Sequence, residues 1–257
     1  NDKAIEAFEA VKSFFHACSI SPAPPMDTKR LISLQSPTSV FRHALRVCPP
    51  AETEGRKGIA MIAPSLAGGG AERIAATICQ GLSDKGNPVE VAIYEVGGKS
   101  GRDHLFYLPM LGLERRDIQV LDLKKPLREP FSWLPPNLSR KSQAIHDFLA
   151  VRRPHTLYLT LDMANLAGGF AGLITGVPNI ILHCHNQRPS NVYAAPGMEG
   201  WAAAYRVLLE REEIRMVAVS QTVAEDYADW TGVRPSRIKV VRNGLNLNQL
   251  MKPDRAF

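Results

Sequence analysis

Residues 58–84 read GIAMIAPSLAGGGAERIAATICQGLSD, and this stretch decides the fold. The run Ile59 to Ala63 is short, apolar and uninterrupted, the pattern of a strand buried on both faces. Three consecutive glycines, Gly68 to Gly70, then form a turn. Beyond it Ile74, Ala75, Ile78, Cys79 and Leu82 fall on one face of a helix. A strand, a glycine-rich turn and an amphipathic helix make the opening unit of a Rossmann-like α/β domain. Glycines let a ligand approach the backbone without Cβ obstruction, and the amides and dipole of the following helix favour an anion there. Gly68, Gly69, Gly70, Ala71 and Arg73 are therefore candidate contacts for a phosphate-bearing ligand. A tight βα turn without a ligand fits the same spacing.

Downstream, apolar runs recur at 89–94, 118–121, 156–160, 179–182, 216–219 and 238–241, with helical patterns between several of them. One such pattern carries Ile145, Phe148 and Leu149; another spans about Glu199 to Glu213. This alternation predicts a doubly wound, mainly parallel sheet with helices on both faces and right-handed crossovers. Met163 to Leu182 carries no charge, but four glycines and Pro178 break it into a helix, a turn and a strand rather than a membrane span. Upstream, Lys3 to Ala17 has helical spacing, and six prolines between Pro22 and Pro50 forbid long helices and central strands. Residues 1–56 thus read as a helical and proline-rich extension packed on a main domain spanning 57–257.

The hydrophobic and charged fractions, 45% and 22%, are those of a globular chain able to bury a core without disulfides. Its four cysteines form no C-x-x-C pair; Cys79 and Cys184 read as buried free thiols of a reducing compartment. The net charge of +6 comes in small basic groups without the aromatic interleaving of RNA-recognition surfaces, so nucleic acid is not the expected partner. A solvated surface accounts for these groups, as does attraction to anionic lipid or a phosphorylated substrate.

Two nucleotide fingerprints fail. The pattern G-x-G-x-x-G needs glycine where Arg73 stands, and a Walker motif ending at Gly98-Lys99-Ser100 needs glycine where Ile93 stands. His183 and His185 lie at the C-terminal end of a strand, the edge where ligands bind in α/β sheets, and alternation puts both on one face. With no third ligand near in sequence, a metal site is not expected. Ser220 and Asp162 follow strand ends, where helix capping explains each, and Asn243-Gly244 fits a turn. Glu225 and Asp226 read as surface charge on a helix.

A family resemblance rests on five segments in order over residues 59–244. Ile59 to Leu66 with Gly69-Gly70-Ala71-Glu72-Arg73 and Gly81 to Gly86 is similar to the N-terminal signature of retaining GT-B glycosyltransferases of the group 1/family 4 type. Phe148 to Pro154, Gly176-Val177-Pro178 leading to His183-Cys184-His185-Asn186, Val217 to Ser220, and Ile238 to Gly244 follow in the family's order. The resemblance implies one lobe of a two-lobed, cytoplasmic enzyme, peripheral at the inner face of the membrane. Its substrates would be a nucleotide-sugar donor and a glycan or lipid-linked acceptor in polysaccharide or glycolipid synthesis, with no cofactor and no metal. It implies His185 as the catalytic histidine, the glycine loop as the part of the cleft facing the donor diphosphate, and Asn186, Ser220 and Asn243 as cleft-lining residues. The donor lobe has no counterpart in this sequence, so the isolated chain is expected to be inactive. A non-catalytic carbohydrate- or lipid-binding module is the alternative; an epimerase or dehydrogenase is disfavoured by the failed dinucleotide fingerprint.

Overall fold

The structure, a computed structural model, describes residues 37–47, 54–96, 103–189 and 200–244. The expected helix at 3–17, the proline stretch before Pro37 and the Gly98-Lys99-Ser100 segment lie outside them. In chain order the elements are α1 (Pro37–Val47), β1 (Ile59–Ala63), α2 (Gly70–Asp84), β2 (Val89–Ile93), β3 (Gln119–Val120) and α3 (Pro136–Arg152). They continue as β4 (Thr156–Thr160), α4 (Asp162–Ile174), β5 (Asn179–Cys184), α5 (Trp201–Leu209), β6 (Ile214–Ala218), α6 (Gln221–Thr231) and β7 (Ile238–Val240).

Among the described residues seven strands join one sheet in the order β3-β2-β1-β4-β5-β6-β7, and every pairing is parallel, not merely most of them. Ile59 lies opposite both Val89 and Thr156, so β1 is central. The order reverses between β1 and β4, so the loops leaving these two strands diverge and leave a crevice at the C-terminal edge. The glycine loop leaves β1 at that point.

Alternation along the strands divides the core into two layers. Ala60, Ile62, Leu157, Leu159, Ile180 and Leu182 face α3, α4, α5 and α6. Met61, Ala63, Val91, Ile93 and Tyr158 face α2 and the irregular segment after β2. From the segment read as an extension, α1 joins the first layer: Phe41 is buried edge-on against Phe170, their centroids 6.0 Å apart, and Arg42 pairs with Glu210.

The apolar stretch from Met163 resolves into α4, a turn and β5, as its glycines and proline require. Alanines and glycines let α4 lie close on the sheet. A Cβ on Gly172 would stand 2.8 Å from both Ile180 Cδ1 and Leu157 Cδ2, and one on Gly168 would run into Leu159. Overpacking so tight a contact is costly. Gly172→Val should lose about 2 kcal/mol, lowering the melting midpoint by about 6 °C. Gly81→Ala on α2, where a Cβ meets open space, should hold or raise it. Equal melting of the two variants would contradict this packing.

Candidate functional site

The glycine loop is built from a buried base and an exposed tip. Leu66 and Ala67 are buried, whereas Gly68 and Gly70 are exposed. Gly69 is the N-cap of α2 at φ −118°, and none of Gly68, Gly69 and Gly70 adopts positive φ. The backbone therefore does not demand glycine here; a Cβ at Gly70 would meet open space. Among the described residues no side chain caps α2, whose first turn carries the acidic Glu72, and the first helical bond runs from Arg73 N to Gly69 O at 3.1 Å. The amides of Gly70, Ala71 and Glu72 thus remain available at the positive end of the helix dipole. The Arg73 guanidinium is exposed and makes no ion pair among the described residues.

Across the reversal point, Leu161 links β4 to α4 at φ 71° and ψ 151°. A residue with a side chain is strained there, and strain of this kind collects at functional edges. The next residue, Asp162, does not cap its helix. Its carboxylate turns inward, where Oδ1 accepts from Tyr205 Oη at 2.7 Å and from Tyr227 Oη. Burial pushes its pKa up, opposed by the two phenols. Asn165 Nδ2 donates to the His183 carbonyl at 3.1 Å and to Tyr205 Oη at 3.2 Å, so this buried polar group braces the end of β5.

β5 carries the two histidines. As alternation requires, they share a face, with rings 4.0 Å apart and tilted by 41°. His183 is buried and its Nδ1 lies 2.7 Å from Tyr158 Oη. Burial lowers its pKa to about 4. Burial, then the neighbouring His183, lowers His185 to about 3. Both rings are neutral near pH 7 and serve as hydrogen-bonding groups rather than cations or strong bases. The Nε2 atoms of both are buried without a partner among the described residues.

A groove of about 360 Å³ runs along α2 beside this pair. Ile74, Thr77 and Ile78 line one side; His183, Arg242 and Asn243 line the other. The structure thus brings Asn243 and His183 to one groove along α2. The His185 ring lies 4.0 Å from that of His183, and neither His185 nor the glycine loop is among the groove's lining residues. Asn186 is half-buried just after β5. Ser220 is engaged elsewhere: its Oγ accepts from Val223 N at 3.2 Å, capping α6 as its position after β6 suggests. Asp226 is more than surface charge, because it accepts from Arg188 N at 2.6 Å and pairs with Arg188 Nε at 3.2 Å, tying the turn after β5 to α6. Three features escape sequence reasoning: Tyr158 as the partner of His183, the inward turn of Asp162, and Phe106 lying over Gly68. Each joins residues far apart in the chain, and only the strand register of Tyr158 beside Ile181 offered a hint.

No cluster of three or more metal-binding side chains occurs among the described residues. No helix among them is long and apolar enough to cross a membrane.

The family model described as Glycosyltransferase Family 4 matches residues 68–249. Among solved structures, a glycosyltransferase from Rickettsia africae ESF-5 superposes with a TM-score of 0.53 at 18% identity, over 79% of this chain and 47% of that one. MurG of Acinetobacter baumannii aligns over 75% of this chain and 70% of its own at 14% identity, with a TM-score of 0.37. The chain therefore spans about half the length of the Rickettsia protein. No match was found by sequence among curated proteins.

Proposed function

The chain belongs to glycosyltransferase family 4, and on that premise we propose that it is the acceptor-side lobe of a retaining hexosyltransferase using a nucleotide-diphosphate sugar. The acceptor is a glycan or lipid-linked glycan of polysaccharide or glycolipid synthesis, met at the inner face of a membrane to which the basic groups attach the protein peripherally.

The observation that carries this reading is the glycine loop. Exposed glycines stand at the sheet's reversal point, the local backbone does not require them, and the helix amides behind them are open. Gly70, where a Cβ would meet nothing within 4 Å, is small without a packing reason and is explained by a ligand that must come close. Departure of a nucleoside diphosphate builds negative charge, which fixed N–H dipoles and cationic side chains stabilise. The proposal gives this work to the amides of Gly70 and Ala71 and to Arg73, without a divalent metal, while a second lobe supplies most donor affinity. His185, held neutral by burial, hydrogen-bonds a hydroxyl of the transferred sugar. The proposal assigns Asn186 to the same cleft, together with Asn243, which lines the groove beside His183.

The test is Gly70→Val in the two-lobed protein. Since a Cβ there meets nothing within 4 Å, the melting midpoint should not move. Turnover should fall about tenfold or more as the branched side chain blocks close approach. Full turnover would overturn the role of the loop.

A further inference from the structure

Phe106 is 57% exposed, the one aromatic among the large hydrophobics exposed in the described residues. It does not sit on a loose loop. Leu66 N donates to His104 O at 2.8 Å and Tyr107 N donates to Leu66 O at 3.0 Å, so residues 104–107 are laced to the glycine loop by backbone hydrogen bonds. Asp103 Oδ1 accepts from Leu105 N at 2.9 Å, and the Phe106 ring meets Tyr107 edge-to-face with centroids 4.9 Å apart. The ring lies 3.7 Å from where a Cβ on Gly68 would stand. On the next residue, the space where a Cβ of Gly69 would go is taken by the Glu72 carboxylate. That carboxylate makes no hydrogen bond or ion pair among the described residues.

A fixed, exposed aromatic face and an unpaired carboxylate thus flank two adjacent glycines at the sheet's crevice. Stacking on an aromatic face suits a ring that presents apolar C–H bonds, and a carboxylate with two acceptor oxygens suits paired hydroxyl donors. A pyranose offers both. A phosphate at this point of the loop would meet like charge from Glu72.

We propose that Phe106 and Glu72 form a saccharide subsite over Gly68 and Gly69 that takes the terminal sugar ring of the acceptor, Phe106 stacking on its C–H face and Glu72 accepting from its hydroxyls. The assignment rests on the transferase reading for calling that sugar the acceptor; the binding itself does not. The donor's diphosphate takes the other part of the loop, toward the amides of Gly70 and Ala71.

The experiment is saturation-transfer NMR on the 257-residue chain with methyl glycosides of glucose, galactose, mannose and N-acetylglucosamine, and with uridine and guanosine monophosphates as competing probes. At least one glycoside should receive saturation on its ring C–H protons. Phe106→Ala should weaken that transfer about fivefold or more, Phe106→Trp should retain it, and Glu72→Gln should weaken it. Circular dichroism should show every variant folded, since both side chains lie outside the core. The proposal is overturned if no glycoside binds, if binding ignores Phe106, or if only the nucleotides depend on Phe106. If glycoside binding depends on Phe106 and Glu72 while the two-lobed protein transfers no sugar, the subsite stands and the transferase reading falls. The opposite pair of outcomes removes the subsite alone.

Discussion

Acidifying the protein from about pH 7 to about pH 4 should remove about 3 kcal/mol of stability through His183 alone. In the unfolded chain His183 titrates near 6.5; in the fold, burial against Tyr158 lowers it to about 4. Between those values the unfolded chain binds the proton and the folded one does not, so stability falls as pH falls. The loss begins near 6.5 and is complete below about 4. His185, lowered to about 3 by burial and by His183, acts in the same direction and extends the window. His43 and His146, also lowered chiefly by burial, add to it. Asp162 opposes it, because burial raises its pKa and the folded state then holds the proton more tightly. Urea unfolding across this range should show the midpoint falling with pH, and the fall should be shallower in His183→Gln. The same slope in both proteins would show that the imidazole is not held neutral by the fold.

Asp162→Ala should be more damaging at neutral pH, costing about 4 kcal/mol. Tyr205 and Tyr227 are fully buried, and both hydroxyls donate to the same carboxylate oxygen. Alanine leaves the two buried donors with only the weakly accepting Cys184 thiol beside them, each at a cost of about 1–3 kcal/mol. Asp162→Asn keeps an acceptor oxygen and should lose less than half as much. Because Asn165 links Tyr205 to the His183 carbonyl, the alanine variant should also loosen the end of β5 and speed amide exchange there. Equal stability of the alanine and asparagine variants would show that the phenols find other partners. These two effects outweigh the others because each removes the partner, or the neutrality, of a polar group already out of water.

Strands were legible where residues are buried on both faces. Ile59–Ala63 and Thr156–Thr160 coincide with β1 and β4, each an unbroken run between turn residues. β6 begins earlier than the run from Met216, because Arg215 sits within it and reaches sideways to Asn179 Oδ1 at 2.8 Å. β3 shrinks to two exposed edge residues, and the helix expected over 199–213 to Trp201–Leu209. At the site, local spacing disclosed the glycine loop, the shared face of His183 and His185, and the cap formed by Ser220. It could not disclose Asp162, whose partners lie 43 and 65 residues away and whose position after a strand mimics a cap. Phe106 was illegible for a similar reason. An exposed aromatic in an irregular segment has no period, and only the backbone bonds to Leu66 place it over Gly68.

The chain belongs to glycosyltransferase family 4, and catalysis of sugar transfer is the central proposal built on that membership. The direct measurement is sugar transfer by the two-lobed protein, supplied with uridine, guanosine and thymidine diphosphate sugars and a glycan acceptor. Released nucleoside diphosphate and the anomeric configuration of the product would be read together. The account predicts acceptor-dependent release from one donor class, retention of configuration, and loss of turnover in His185→Ala. No transfer and no donor hydrolysis from any of these sugars, by a folded protein carrying both lobes, would contradict it.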